Sequence, residues 1–289
     1  MLKVAYLGPE GTVSEESARY FFQGKDVAFI PYKIIGDVFA ATSKGETDLS
    51  VIPIENTIDG SVSLHLDMLV HDNELPIAAE WVYPSIQNLI GIAQDGEWDM
   101  QRIKRVISHP VAVGQCRAFI KEHLPHAEIE TVSSTAEGVR MVQEYGQPDI
   151  AAIATQLAAR KYGLSILQPT IQDHHNNFTR FLLVGSKPPK RDSQGKVKTT
   201  IMITLPEDYP GALHQVLSAF AWRRINLSRI ESRPTKKKLG SYFFFIDIEE
   251  TLDSVLLPAA IQEIEAIGCQ VRIFGSYMSY RYEREQSEV

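Results

Sequence analysis

Cysteine is scarce: the 289 residues hold two, Cys116 and Cys269, far apart and outside any C-x-x-C spacing. That excludes a disulfide framework and a cysteine zinc cluster, and leaves both as small apolar residues for a core. No apolar run approaches the roughly 18 residues of a membrane-spanning helix. The N-terminus "MLKVAYLGPEG" enters a short strand pattern directly, without the apolar core and cleavage site of a signal peptide. A cytoplasmic protein with no membrane partner is expected. A basic excess is missing too: Lys and Arg number 29 against 36 Asp and Glu, a net charge of −7. Nucleic acid would need a basic face, so it is excluded as a partner, and an anionic ligand must be held by local donors. No H-E-x-x-H motif occurs, and His174 and His175 beside Asp173 are neighbours whose side chains diverge rather than converge on a metal. No metal is expected.

What is present is alternation. With 44% hydrophobic and 22% charged residues, the chain is ordinary in composition and long enough for two domains. "GSKPPKRDSQGKVK", Gly185 to Lys198, replaces periodic apolar sequence with prolines, charges and small polar residues and reads as a linker. Before it, strand patterns at Lys3–Leu7 and Leu49–Ile54 alternate with helical patterns at Ser14–Phe22, Asp37–Ser43 and Ser61–Val70. A second series has strands Ile103–Ile107, Glu128–Val132 and Ile150–Ala154 and helices Val111–His123, Thr135–Tyr145 and Gln156–Tyr162. Such alternation predicts an α/β fold of parallel sheet with helices on both faces. Two series predict two lobes, with the apolar segment Ile77–Ile92 carrying the crossing. After the linker the order is strand Thr199–Leu205, helix Ala212–Ala221, strands Leu227–Ser232 and Tyr242–Glu249, helix Pro258–Ile267 and strand Gln270–Phe274. This βαββαβ order is ferredoxin-like. "TKKKLGS", Thr235 to Ser241, reads as a solvated hairpin turn. The expected divisions are 1–185, a linker 186–197, 198–280 and a tail 281–289.

Four polar interruptions of apolar sequence are candidates for chemistry. "GPEGTVSEESA", from Gly8, leads from a strand into a helix whose exposed N–H groups favour anions. It matches neither G-x-x-x-x-G-K-[ST] nor G-x-G-x-x-G, and a simple turn with Ser14 as N-cap describes it equally. "VIPIENTIDGSV", from Val51, ends a strand and presents Glu55, Asn56 and Thr57, side chains able to exchange protons or orient carboxylates and hydroxyls. "ISHPVAVGQC", from Ile107, repeats that layout with Ser108, a natural N-cap, then His109 and Gln115. With no G-x-S-x-G elbow, a serine-hydrolase triad is weak. "NNFTRFLLV", from Asn176, sets Thr179 and Arg180 at the mouth of an apolar strand, either as a capped turn with a surface cation or as a ligand-facing edge.

In combination these pieces are specific. "YLGPEGTVSEESA", "PIENTIDGSV", "SHPVAVGQC", "YGLSILQPTIQD" and "NNFTRFLLV", in that order, resemble the prephenate dehydratase family, and "PGALHQVLSAFAWRRINLSRIESRP" resembles its regulatory ACT domain. The resemblance covers nearly the whole chain and, with no chorismate mutase segment before Met1, is to the monofunctional form. It implies a two-lobed periplasmic-binding-protein-like catalytic domain converting prephenate to phenylpyruvate, carbon dioxide and water without a cofactor. It implies Thr179 as the donor to the leaving oxygen, with Glu55, Asn56, Ser108 and Gln115 shaping the catalytic site. Gly11, Thr12, Thr57, Arg180 and Phe181 are the implied substrate-binding residues. It further implies feedback by L-phenylalanine in a homodimer or homotetramer joined through ACT domains. The implied effector residues are Gly211, Ala212, Leu213, His214, Asn226, Leu227, Glu231, Ser232, Arg233 and Pro234. Three positions depart from the family's usual pattern: Thr57 for Ser, His65 for Thr and Val111 for Gln. Arogenate dehydration, or a non-catalytic solute sensor of the same build, are the competing expectations.

Overall fold

The structure is a computed structural model that describes residues 1–93, 97–186, 195–207, 209–236 and 242–282. Most of the expected linker, five residues of the expected "TKKKLGS" turn and most of the expected tail lie outside the described residues. The first stretch of chain runs β1 (Leu2–Leu7), α1 (Val13–Phe21), β2 (Val27–Tyr32), α2 (Ile35–Ser43), β3 (Leu49–Asn56), β4 (Gly60–Ser61), α3 (Ser63–His71) and β5 (Ile77–Pro84). It continues with β6 (Asn88–Gly91), β7 (Arg105–Ser108), α4 (Pro110–Gln115), α5 (Arg117–His123), β8 (Glu128–Thr131), α6 (Thr135–Tyr145), β9 (Ile150–Ala154), α7 (Gln156–Tyr162), β10 (Ser165–Gln168) and β11 (Phe178–Val184). The last stretch is β12 (Lys196–Thr204), α8 (Ala212–Ala221), β13 (Leu227–Pro234), β14 (Tyr242–Ile248), α9 (Leu256–Ala266) and β15 (Gln270–Tyr280).

Contacts divide the chain into one unit of residues 1–73 and 82–181 and another of 74–81 and 182–289, so the chain passes from one to the other between α3 and β5, within β5 and within β11. In the first unit, strands in the order β11-β3-β1-β2 form one sheet region, with β1 parallel to both β2 and β3. A separate sheet has the order β10-β6-β9-β7-β8. The helices pack because their apolar sides match strands buried on both faces: Ile150–Ala154 is buried throughout, and Val139, Val142, Ala158 and Ala159 close one side of it. Helix limits follow from their caps. Ser134 accepts from Glu137 N–H (3.1 Å) at the start of α6, Thr155 from Ala158 N–H (3.1 Å) at the start of α7, and left-handed Gly146 and Gly163 end them.

Several expectations are corrected. The sheets are not wholly parallel: β6 runs antiparallel to β9 and to β10. The Ile77–Ile92 segment is two strands, β5 and β6, with Ser85 between them. The single helix expected over Val111–His123 breaks at Cys116, where the Asp173 carboxylate accepts the Ala118 N–H (3.0 Å) and begins α5. Asp173 is thus a helix-capping group, and His174 and His175 are exposed. Ser14 is buried; Thr12 is the N-cap of α1. Strands β2 and β10 were not anticipated. Cys116 and Cys269 are free and buried, as expected.

In the second unit the strands follow the order β13-β14-β12-β15-β5, antiparallel up to β15, with the Ile77–Trp81 part of β5 added parallel to it. The βαββαβ order is as expected. Helices α8 and α9 cover one face through Val216, Phe220, Leu257, Ile261 and Ile264 against Ile201, Ile203, Phe244 and Ile246. A buried polar network lies within this unit: the Glu80 carboxylate, 0% exposed, meets Lys198 Nζ at 2.6 Å and accepts from Ser279 Oγ at 2.5 Å.

Candidate active site and effector site

Strand β3 is buried from Leu49 to Ile52, and at its end Glu55 and Asn56 emerge half-buried. Asn56 is fixed by four hydrogen bonds. Its Oδ1 accepts from the backbone N–H groups of Ile58 (2.8 Å) and Asp59 (3.0 Å), and its Nδ2 donates to Asn177 Oδ1 (2.8 Å) and Thr179 Oγ1 (3.0 Å). Backbone N–H groups only donate, so the atom facing them is the oxygen and the amide orientation is determined. Thr179 Oγ1 also lies 2.9 Å from Ser85 Oγ, and Ser85 N–H donates to the Asn177 carbonyl (2.9 Å). Thr57 locks the same junction: its hydroxyl accepts the Phe178 N–H (2.8 Å) and donates to the Asn176 carbonyl (2.8 Å). Three segments distant in sequence, at residues 56–57, 85 and 176–179, therefore converge on one threonine hydroxyl.

Around this centre Arg180 faces Glu55 (Nη1 to Oε2, 3.5 Å), and Gln115 Nε2 donates to Asp59 Oδ2 (3.1 Å), tying α4 to the β3 turn. His65, one of the departures, lies beneath β3 with Nδ1 2.6 Å from the Pro53 carbonyl. A carbonyl only accepts, so Nδ1 carries the proton, and burial lowers the ring's pKa and keeps it neutral. Val111, another departure, is 45% exposed at the start of α4.

Other candidates are placed differently. Ser108 is not the cap of α4; His109 is, accepting from Val111 N–H at 3.3 Å. Ser108 is fully buried, and its hydroxyl donates to the Ile153 carbonyl at 2.6 Å, stapling β7 to β9. The Gly11 N–H is engaged by Glu15 Oε2 (2.7 Å), and the Thr12 hydroxyl donates to the Leu7 carbonyl (3.2 Å). Burial pushes the Glu15 carboxyl up, but Lys161, the Gly11 N–H and Arg19 outweigh it and hold the pKa below normal. This loop is thereby closed on its own carboxylate. Phe181 is 1% exposed, a core residue. A cavity of about 770 Å³ lined by Pro9, Tyr32, Lys33, Ser134, Arg140 and Tyr162, among others, includes none of the candidate residues. Ser85 and Asn177 belong to the site although neither is among the sequence candidates. The signal was the polar Ser85 interrupting an apolar segment.

In the second unit a cavity of about 550 Å³ is lined by Leu205, Tyr209, Gly211, Ala212, Leu213, His214, Leu217 and Phe244. Four of the expected effector residues line it. Gly211 at φ +94° starts α8 without a side-chain cap; the Ala212 N–H donates to the Tyr209 carbonyl (3.0 Å), which leaves the N–H groups of Leu213 and His214 to other acceptors. Asn226 donates to Glu249 (2.9 Å) and Glu231 pairs with Arg229; neither residue lines the cavity, nor do Leu227, Ser232, Arg233 and Pro234. Ser232 instead pairs with Phe244, which does.

The α/β unit followed by a βαββαβ unit places the chain among α/β proteins that carry a ferredoxin-like C-terminal domain. The prephenate dehydratase family model matches residues 4–189 and the ACT domain model residues 199–268. The chain belongs to the prephenate dehydratase family. A Bacillus subtilis protein named prephenate dehydratase is 40% identical over 287 residues, covering 97% of this chain and 100% of that one. A prephenate dehydratase from Methanocaldococcus jannaschii is 39% identical over 279 residues, covering 95% and 97%. The solved structure of prephenate dehydratase in complex with L-Phe from Arthrobacter aurescens aligns with a TM-score of 0.83 at 36% identity, covering 100% of this chain and 92% of that one.

Proposed function

We propose that the Thr179 centre is where prephenate becomes phenylpyruvate, carbon dioxide and water, and that L-phenylalanine feeds back through the ACT domain. The observation that carries this reading is the double hold on Thr179 Oγ1 by Asn56 and Ser85. In the reaction the bond from ring to carboxylate breaks, its electron pair enters the ring, and the bond from ring to hydroxyl breaks. One proton joins the departing hydroxide to make water, and the ring becomes aromatic. Aromatisation supplies the drive, so the site has to orient the substrate and stabilise the leaving oxygen. Thr179 donates to that oxygen. Arg180, which faces Glu55 at 3.5 Å beside the Thr179 centre, takes a substrate carboxylate, a group that a guanidinium matches. Glu55, Gln115 and Thr57 hold the surrounding frame. Ser108 acts by setting the β7–β9 geometry, and Gly11 and Thr12 by shaping the first loop.

The effector reading rests on α8. The carboxylate of L-phenylalanine accepts from the uncapped N–H groups at Leu213 and His214, and its ring enters the cavity lined by Leu205, Leu217 and Phe244. Trp222 is 82% exposed and Ile230, on the edge strand β13, is 43% exposed. A second copy of the chain covers this surface, so that ACT domains pair in a homodimer or homotetramer and complete the effector site. Residues 1–185 form the catalytic domain and 198–280 the regulatory one, joined by 186–197 and followed by a tail at 281–289, in a cytoplasmic enzyme. No helix among the described residues is long and apolar enough to cross a membrane.

The test is phenylpyruvate formation from prephenate, read by absorbance after alkali, with and without millimolar L-phenylalanine. Turnover suppressed by L-phenylalanine supports both parts. Turnover without suppression refutes the effector part, and turnover of arogenate alone replaces the substrate.

A further inference from the structure

The hydrogen-bond arrangement around Thr179 determines more than its position. Asn56 Oδ1 is fixed by two backbone donors, so both hydrogens of Nδ2 are directed outward, one to Asn177 Oδ1 and one to Thr179 Oγ1. That assignment also orients Asn177, whose oxygen must face Asn56. Thr179 has one proton and two lone pairs, and Asn56 occupies the first lone pair. Two capacities remain on Thr179: the second lone pair and the proton. Ser85 Oγ, 2.9 Å away, meets one of them. If Ser85 accepts, the threonine proton points at the serine and is withdrawn from any ligand. If Ser85 donates, the second lone pair is filled and the proton of Thr179 is directed elsewhere.

Resting on the reading of Thr179 as the donor to the leaving oxygen, we propose that Ser85 is a positioning residue that donates to Thr179 and thereby directs the threonine proton to the substrate. Ser85 suits this role because it is 5% exposed, so water has little access to reverse the pair, and because its backbone N–H is anchored on the Asn177 carbonyl. Two donors into one hydroxyl oxygen also stabilise the charge that gathers there as its proton shifts towards the leaving group, where hydrogen bonds are strongest. Ser85 and Asn56 thus form two arms of one device, and neither needs to touch the substrate.

The experiment compares steady-state turnover of prephenate by the full chain and its S85A, T179V and S85A/T179V variants, with circular dichroism and thermal denaturation as checks on folding. The expected result for S85A is a kcat lower by about 10- to 100-fold, the size of a hydrogen bond to a developing charge, with KM within about twofold. In the T179V background, where no hydroxyl remains to be directed, S85A is expected to change the residual rate by less than twofold. S85A with wild-type kcat overturns the proposal. So does an S85A effect of the same factor in both backgrounds, because a merely structural serine acts whether or not Thr179 has a hydroxyl. Wild-type turnover by T179V overturns the assignment of Thr179 and this inference with it, whereas the first two outcomes leave that assignment standing.

Discussion

Replacing Asn56 by Asp changes one NH₂ to an oxygen and separates the turn from the catalytic centre. The aspartate still accepts from the Ile58 and Asp59 N–H groups, so the turn after β3 persists. It cannot donate to Asn177 Oδ1 or Thr179 Oγ1. Asn177 can answer by turning its amide over, because its Nδ2 is buried without a partner among the described residues. Thr179 has a single answer, to donate its own proton to the new carboxylate. A neutral hydrogen bond is exchanged for a charge-assisted one whose gain is offset by the cost of half-burying the new carboxylate, so stability changes by about 1 kcal/mol or less. For catalysis the threonine must break a charge-assisted bond of about 1.5–3 kcal/mol before it can reach the substrate, which lowers kcat by roughly 10- to 100-fold. Asn56→Ala behaves in another way. It leaves Asn177 Oδ1 as a buried orphan, at about 1–3 kcal/mol, and removes the turn contacts too. Urea denaturation and prephenate turnover on the two variants test this. The predicted stability order is wild type, N56D, N56A, with N56D impaired at least tenfold in kcat. An N56D enzyme within twofold of wild type, or one less stable than N56A, refutes the hydrogen-bond assignment.

Burial pushes the Glu16 carboxyl up to about 7, although it accepts the Leu157 N–H at 3.0 Å. A raised carboxyl favours the folded state below its unfolded value near 4.5 and loses that contribution as pH rises through 7. Glu16→Gln, which keeps the acceptor, is therefore predicted to gain stability relative to wild type between pH 5 and 8, by up to about 3 kcal/mol at the upper end; equal gains at both pH values refute this. Lys198→Met leaves the fully buried Glu80 without its cation and is predicted to lose about 3–5 kcal/mol of unfolding free energy. A loss below about 1 kcal/mol in urea contradicts the buried pair. Gly211→Ala forces an L side chain to φ +94° at the start of α8, a strain of about 1–2 kcal/mol. Calorimetry is predicted to find L-phenylalanine bound about tenfold more weakly, and unchanged affinity removes α8 from the effector site.

The elements legible in the sequence were those whose apolar periodicity is set by two-sided burial, such as β9 and β11, and those with local caps, such as α6 and α7. Strand β2 is only partly buried along its length and β10 has four residues, so neither shows a strong apolar pattern. Strand direction was not legible, because a reversed β6 needs the same residues as a parallel one. Asn56 stood out as a polar group after an apolar strand and Thr179 as one opening another, and the structure brings them within hydrogen-bonding distance. Ser108 and Gly11 had suitable chemistry, but their partners, the Ile153 carbonyl and the Glu15 carboxylate, depend on folding. Ser85 was hidden because its partner lies 94 residues away.

The most direct test of the account is the rate of phenylpyruvate formation by Thr179→Val, a variant that keeps the branched shape and lacks the hydroxyl. Removing the donor to a leaving oxygen is predicted to lower kcat by about 100-fold or more, while L-phenylalanine still binds the ACT domain in calorimetry. Wild-type turnover by this variant would contradict the claim that the Thr179 hydroxyl donates to the departing oxygen of the substrate.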